Sequence, residues 1–372
     1  MTKRLFSTSH MCKIKDKIRG AGVLVGLSGG VDSAVAAWLL KEAGYDVEGL
    51  YLHNGFPLRS ENDAVNVAVK LDIPLHRVDV SEPFEKTIVR YFVEEYRAGR
   101  TPNPCIRCNR EIKIPILRDE ANRRDIPWIA TGHYARTKRL ETGEILLLKG
   151  MDLKKDQSYF LFELKDGDLS RLLFPLGNLT KEEVRALGRR LELPASEKES
   201  QEICFIPDDD YVSFLNARRS EDPFLPGPIR DLRGKILGSH RGIHTVTVGQ
   251  RRGLGIASER PYYVLRIDPA AREVIVGREE EQFSRGLVAR GVTLRRAISG
   301  NGRIFEGSVK IRYRHPGVPC TVELMDEKES PASARIRFHR PEKAVAPGQA
   351  AVFYEEDRIL GGGWIEGGFG EE

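Results

Sequence analysis

The stretch GVLVGLSGGVDSAVAAWLL, Gly22 to Leu40, decides the fold. Val23-Leu24-Val25 is an apolar run of strand length, and Val35, Leu39 and Ala43 recur on one helical stripe that Gly44 stops. Between them lies the turn Ser28-Gly29-Gly30-Val31-Asp32-Ser33. A strand, a glycine turn and a helix start form a phosphate cradle, because backbone N–H groups and the positive helix end face the anion. Loops of the GxxxxGK[ST] type add a lysine for the β- and γ-phosphates. No lysine follows here. The hydroxyls of Ser28 and Ser33 are the remaining donors, and Asp32 suits a loop-fixing or metal-assisting role in the first helical turn.

Outward from this loop, strand and helix signals alternate. Val47 to Leu52 and Leu75 to Val80 read as strands, Asn62 to Leu71 and Phe84 to Arg97 as helices, and IPWIATGHY as a strand ending in a loop. The expected class is α/β: a parallel sheet covered on both faces, with ligands at the carboxyl ends of its strands. Near Pro207 the texture changes to glycine- and proline-rich pieces. From Gly286, short alternating runs (GSVKIRYR, CTVELM, ARIRFH, AAVFY) separated by Pro316-Gly317 and Pro347-Gly348 indicate a small antiparallel barrel. The expected organisation is a disordered basic leader at 1–20, a nucleotide-binding domain at 21–207, a small central domain at 208–280 and a β-barrel at 281–372.

Composition agrees with a soluble chain: 40% hydrophobic and 30% charged residues in 372. No apolar stretch approaches the roughly 20 residues that span a bilayer, so no membrane partner is expected. From Gly286 to His315 seven basic residues (Arg290, Arg295, Arg296, Arg303, Lys310, Arg312, Arg314) face one acid, Glu306. Such a run fits a phosphate backbone or a solvated sheet face. Five cysteines, Cys12, Cys105, Cys108, Cys204 and Cys320, are an odd number. That argues against a disulfide scaffold and for a reducing cytoplasm, where thiols serve chemistry. Cys105 and Cys108 form a CxxC, a redox pair or half a zinc site; no second CxxC or His pair follows. Cys204, in the apolar run ICFI, is by itself equally a core thiol.

SGGVDS resembles the signature of the PP-loop ATP pyrophosphatases, which split ATP between its α- and β-phosphates to adenylate a substrate. In order, AGRTPNPCIRCNREIKI, TGHYAR, KDQSYFL, PLGNLTKEEVRALGRRL, ESQEICFIP, HTVTVGQRRGLGI and YYVLRID are similar to the tRNA-specific 2-thiouridylases. The likeness runs from about residue 22 to the C-terminus. It implies ATP with Mg²⁺, a tRNA substrate whose wobble uridine is adenylated at the C2 oxygen, and a sulfur-donor protein. It implies ATP contacts at Gly26, Leu27, Ser28, Gly29, Gly30, Val31, Asp32, Ser33, Leu52 and Gly132. It implies a persulfide on Cys204 with Cys108 as its partner, a low-pKa thiol being able to carry and deliver sulfur. Asn103, Pro104 and Cys105 would face the target base; Lys155, Asp156, Gln157, Arg312 and Tyr313 would contact tRNA.

Two departures from the family pattern stand out. Relatives often carry NPDxxCN where this chain has NPCIRCN, which opens a second route in which Cys105, Cys108 and Cys204 hold a [4Fe–4S] cluster with one open iron. After the second strand the chain reads LHNGFPLRSENDAVN, shorter than in relatives and without a tryptophan. His133 suits a loop-end role or a ligand contact, and Cys12 and Cys320 match no motif. Rival readings are an amide-forming PP-loop synthetase, which has no use for Cys108 and Cys204, and a non-catalytic tRNA-binding protein on a nucleotide-fold scaffold.

Overall fold

The computed structural model describes residues 20–56, 61–194, 203–218, 224–295, 303–325 and 333–370. Residues 1–19 of the basic leader, Cys12 among them, and Arg296 lie outside them.

The quoted stretch folds as read. β1 (Gly22–Gly26) leads through a four-residue turn to α1 (Val31–Glu42). β2 (Asp46–His53), α2 (Glu61–Leu71) and β3 (Leu75–Asp79) follow. The expected helix over 84–97 is broken: α3 (Ser81–Phe84), a π-helical turn at Glu85–Val89, then α4 (Arg90–Arg97). α5 (Pro104–Cys108) runs through a second π-turn, Asn109–Lys113, into α6 (Ile114–Arg123). Then come β4 (Trp128–Ala130), the hairpin β5 (Ala135–Arg139) and β6 (Ile145–Lys149), α7 (Asp166–Leu169), β7 (Leu172–Leu173) and α8 (Lys181–Arg190).

β3-β2-β1-β4-β7 is an all-parallel sheet. Side chains alternate along β1, so Val23 and Val25 meet Ala34, Ala37, Val67 and Ala68 of α1 and α2 in one cluster. Gly26 points to the other face, where a Cβ would stand 3.4 Å from Leu117 of α6. Both faces are therefore covered, as continuous burial of Val23, Leu24 and Val25 requires.

The chain forms two compact units that do not follow chain order. One comprises Met1–Phe84, Cys108–Ser158 and Leu164–Phe205; the other Glu85–Arg107, Tyr159–Glu163 and Ile206–Glu372. The second unit holds α4, then α9 (Tyr211–Ala217) and the strands β8 (Gly227–Asp231), β9 (Ile236–His240), β10 (Tyr263–Asp268) and β11 (Glu273–Gly277), which form the sheet β10-β11-β8-β9 around Ile229, Val264, Val274 and Val276. Its remaining strands are β12 (Phe283–Leu294), β13 (Ile304–Lys310), β14 (Val318–Met325), β15 (Ser333–Lys343), β16 (Ala350–Glu355) and β17 (Arg358–Phe369). They pair antiparallel in the order β12-β15-β14-β13-β16-β17, and β12 pairs back onto β17, closing a six-stranded barrel. Closure removes the exposed edges that six amphipathic strands would otherwise present.

Candidate functional site: a glycine loop with a borrowed lysine

Gly30 caps α1 without a side-chain hydrogen bond, so the first-turn N–H groups keep no side-chain acceptor. Ser28 N donates to Ser33 Oγ (3.2 Å), Ser33 Oγ donates to Gly30 O (3.0 Å), and the two hydroxyls lie 3.2 Å apart. The loop is thus internally fastened. Gly29 has φ +78°, and a Cβ there would sit 2.6 Å from Asp63 Cβ, so both conformation and space demand glycine. Gly132, after β4, has its would-be Cβ 3.0 Å from Ser33 N, which places the Thr131-Gly132 backbone against the start of α1. Leu52, half-buried, closes the carboxyl end of β2. The loop and Gly132 thus meet at the sheet edge where an α/β fold takes its ligand.

Asp32 is not an unpaired acid. Lys181 Nζ donates to both of its carboxylate oxygens at 2.7 Å, and Tyr134 Oη donates to Oδ1 at 2.8 Å. Lys181 opens α8, whose start is fixed by a Thr180–Glu183 capping box and by Asp152 Oδ2, which accepts from Lys181 N at 3.0 Å. Gly188 lets α8 approach α1: a Cβ there would stand 2.6 Å from Val31 Cγ2. The lysine missing from the loop is thus supplied by a helix 149 residues downstream. Its side chain is 12% exposed, so the carboxylate offsets an otherwise unmatched, partly buried ammonium. Burial, then Asp32, raises the Tyr134 hydroxyl far above its ordinary range, so it stays a donor.

Tyr134 carries a second connection. Its N–H donates to Gln157 Oε1 (3.0 Å), and Gln157 N donates back to Tyr134 O (2.9 Å). Asp156 is turned inward, 2% exposed, accepting from Gly150 N (3.1 Å) and Ser158 N (3.0 Å). Of this trio, Lys155 is half-buried. His133 is buried with its Nδ1 2.8 Å from Thr131 Oγ1; burial and Lys113 lower its pKa well below the usual value, so its ring is neutral.

Cys108 and Cys204 belong to the same unit as the glycine loop, and both are half-buried. Cys108 sits at the junction of α5 and the second π-turn, a local irregularity frequent at functional sites. Cys204 is anchored by its neighbour Phe205, whose ring lies 5.6 Å from Phe84 and 5.7 Å from Phe56. Cys105 and Cys108 stand three apart on α5 and so share a helical face. Cys320 is fully buried in the barrel, and burial pushes its thiol up to about 12, which makes it inert. Among the described residues, no three or more His, Cys, Asp or Glu side chains form a metal-binding group.

In the second unit the TPN segment before Cys105 is held from several directions. Thr101 N donates to Pro347 O (2.8 Å), Gln349 Nε2 donates to Thr101 O (3.0 Å), and Thr101 and Thr247 hydroxyls lie 3.1 Å apart. Asn103 and Pro104 are buried, and Tyr91, bonded to the Asn103 backbone, lies under the Arg107 guanidinium at 4.5 Å. The basic run of the barrel does not form one surface: Arg295 and Lys310 are buried, and Arg290 pairs with Glu366 at 2.7 Å. Arg312 is exposed, while the Tyr313 ring packs 4.4 Å from Phe160. Sequence reasoning did not identify Lys181, Tyr134 or Gln349, although TKEE (Thr180 to Glu183) already shows the capping signature that starts α8.

Three family models match in chain order: a tRNA methyl transferase HUP domain over residues 21–208, a tRNA methyl transferase PRC-barrel domain over 213–278, and an aminomethyltransferase β-barrel domain over 296–365. Among curated proteins, the chain is 50% identical to tRNA-specific 2-thiouridylase MnmA 2 of Syntrophus aciditrophicus (strain SB), covering 87% of this chain and 99% of that one. It is 47% identical to tRNA-specific 2-thiouridylase MnmA of Geobacter metallireducens (92% and 96% covered) and 46% identical to that of Geotalea uraniireducens (92% and 94%). The domain labels speak of methyl transfer and the near-full-length relatives of thiolation. The relatives weigh more, because they match across all three domains at once.

Proposed function

Because the chain belongs to the tRNA-specific 2-thiouridylase family, we propose that it replaces the C2 oxygen of a tRNA wobble uridine by sulfur, using ATP. The observation that carries this reading is the presence, in one compact unit, of an anion loop completed by Lys181 and of two half-buried thiols, Cys108 and Cys204.

The first step forms a bond between the uridine C2 oxygen and the α-phosphorus and breaks the α–β bridge, releasing pyrophosphate. The N–H groups of the α1 start, Ser28, Ser33 and Lys181 hold the departing negative charge in place. Asp32 aims Lys181, and Tyr134 fixes Asp32. Mg²⁺, when bound, would neutralise charge on the ATP phosphates. In the second step the terminal sulfur of a Cys204 persulfide attacks C2 and AMP leaves. The Cys108 thiolate then attacks Cys204 Sγ. The S–S bond to the nucleoside breaks, 2-thiouridine departs, and a Cys108–Cys204 disulfide remains for an external dithiol to reduce.

Asn103, Pro104 and Cys105 present the segment that receives the base; Lys155, Gln157 and Arg312 contact the RNA, with Asp156 and Tyr313 setting their backbone and packing. Sulfur comes from a persulfide-carrying protein in the cytoplasm. Domain boundaries near 207 and 280 complete the reading. A second route, a [4Fe–4S] cluster on Cys105, Cys108 and Cys204, is favoured only by the shared face of the first two thiols. Among the described residues no three ligating side chains gather into a metal group, so no step is drawn through it.

Mass spectrometry of nucleosides from tRNA incubated with protein, ATP, Mg²⁺ and a persulfide donor tests the proposal. 2-Thiouridine with equimolar AMP is expected; absence of both refutes it. Cys108→Ser and Cys204→Ser each abolish product. Cys105→Ser keeps partial activity in the relay and loses nearly all of it in the cluster route, which an anaerobic iron and sulfide assay reads independently.

A further inference from the structure

The motif HTVTVGQRRGLGI has no part in the chemistry above. Between Val246 and Tyr262 it forms neither helix nor strand, yet it is not a loose loop. It walls a cavity of about 300 Å³ lined by Arg251, Gly253, Gly255, Ser258, Arg260 and Tyr262. Gly253 and Gly255 have φ of +79° and +68°, and a Cβ at Gly255 would meet nothing within 4 Å. Glycine is there for backbone direction rather than packing. Among the described residues, no N–H group from Arg251 to Arg260 donates to a backbone carbonyl. Successive N–H groups left without carbonyl partners in such turns can make a concavity for anions.

The four arginines divide by task. Arg278 lies 3.7 Å over the Tyr262 ring and donates to Ser258 Oγ at 3.2 Å, and Arg260 pairs with Glu280 at 3.0 Å; these two build the wall. Arg251 and Arg252 are exposed and have no ion-pair partner among the described residues. Glu279, the acid whose charge Arg251 feels, is itself paired with Lys343. Glu259 is the one acid within Val248–Tyr262.

The loop is also wired to the base-facing segment of the same unit. Thr101 and Thr247 hydroxyls meet at 3.1 Å, Thr247 N donates to Gln250 Oε1 (3.0 Å), and Gln250 Nε2 donates to Arg252 O (2.9 Å). Thr101 is two residues from Asn103, so three consecutive hydrogen bonds join the base-facing turn to the arginine pair.

We infer that the Arg251–Tyr262 loop is a phosphate-binding site that grips the RNA backbone beside the target nucleotide. The inference rests on the tRNA reading above and adds the element that supplies grip. Its ligand is a phosphodiester, held by Arg251, Arg252 and the N–H groups of the loop that have no carbonyl partner, without base readout.

Filter binding of tRNA at graded NaCl concentrations, wild type against the Arg251→Gln/Arg252→Gln double variant, tests it. Losing two phosphate contacts lowers the magnitude of the slope of log K against log[salt] by about 1.5, and weakens binding roughly tenfold to thirtyfold at 0.1 M salt. ATP affinity of the variant, measured by calorimetry without RNA, stays unchanged, which shows an intact fold. Unchanged slope and affinity in a folded variant overturn the inference. So does a variant that loses affinity for inorganic phosphate but not for tRNA, since the loop would then serve a free anion. If the wild-type protein makes no 2-thiouridine yet the salt slope falls as stated, the grip stands and the thiolation reading fails.

Discussion

The chain carries two glycine-punctuated loops built on opposite plans. The Gly26–Ser33 loop rests on a helix start, fastens its own hydroxyls, and takes its cation from a distant helix through a partly buried ion pair. The Arg251–Tyr262 loop has no helix behind it and carries its own exposed arginines. In the proposed reaction the first is preorganised where charge moves, and in the inferred RNA grip the second holds a charge that does not change. Preorganised donors lower barriers, whereas exposed cations give salt-dependent affinity.

The largest effect should separate the two. Lys181→Met and Asp32→Asn are expected to slow AMP release about 10²–10³-fold, the size of losing a preorganised donor, with tRNA affinity within about twofold of wild type. A large loss of tRNA affinity in either variant would erase the distinction.

Acidification acts on the two units unequally. Burial lowers the pKa of His133 in the first unit and of His240, His244 and His315 in the second, His244 to about 4. His244 Nε2 lies 3.0 Å from Asn216 Oδ1, and its buried Nδ1 has no partner among the described residues. A histidine with a depressed folded pKa binds fewer protons folded than unfolded. Stability therefore holds above the unfolded value of about 6.5 and falls as pH drops from there towards 4. His244 alone contributes up to about 3 kcal/mol of this loss. Denaturation followed at successive pH values should show it, with a flatter slope in His244→Asn.

Gly29→Ala should destabilise by about 1–3 kcal/mol, because the left-handed backbone is strained and the added methyl meets Asp63. Gly255→Ala, equally left-handed but in open space, should lose only about 1 kcal/mol. Thermal melts of the pair compare a packed loop with an open one. Tyr134→Phe removes one hydrogen bond to the Asp32 carboxylate; AMP formation should fall about tenfold, measured under single turnover.

Most of the architecture was legible because β1, α1, β2 and α2 carry clean periodicity and a glycine turn joins the first two. The barrel showed itself through alternation and Pro-Gly turns. What escaped was set by tertiary packing. Lys181 reaches Asp32 only because Gly188 lets α8 close on α1, and no local pattern encodes that approach. The barrel's basic run looked like one patch in linear order, but the pleat and the chain path turn Lys310 and Arg295 inward. The apolar spacing over 84–97 reads as one continuous helix, since a π-turn leaves that spacing nearly intact. The thiols are singled out by the resemblance of their motifs, whereas their sulfur chemistry is a matter of redox state that residue order does not carry.

The central claim is that the uridine C2 oxygen attacks the α-phosphorus. Transcribed tRNA labelled with ¹⁸O at that oxygen, reacted with protein, ATP and the persulfide donor, tests it most directly. The account expects one ¹⁸O in each AMP released, matched by 2-thiouridine in the RNA. Unlabelled AMP alongside 2-thiouridine would contradict it.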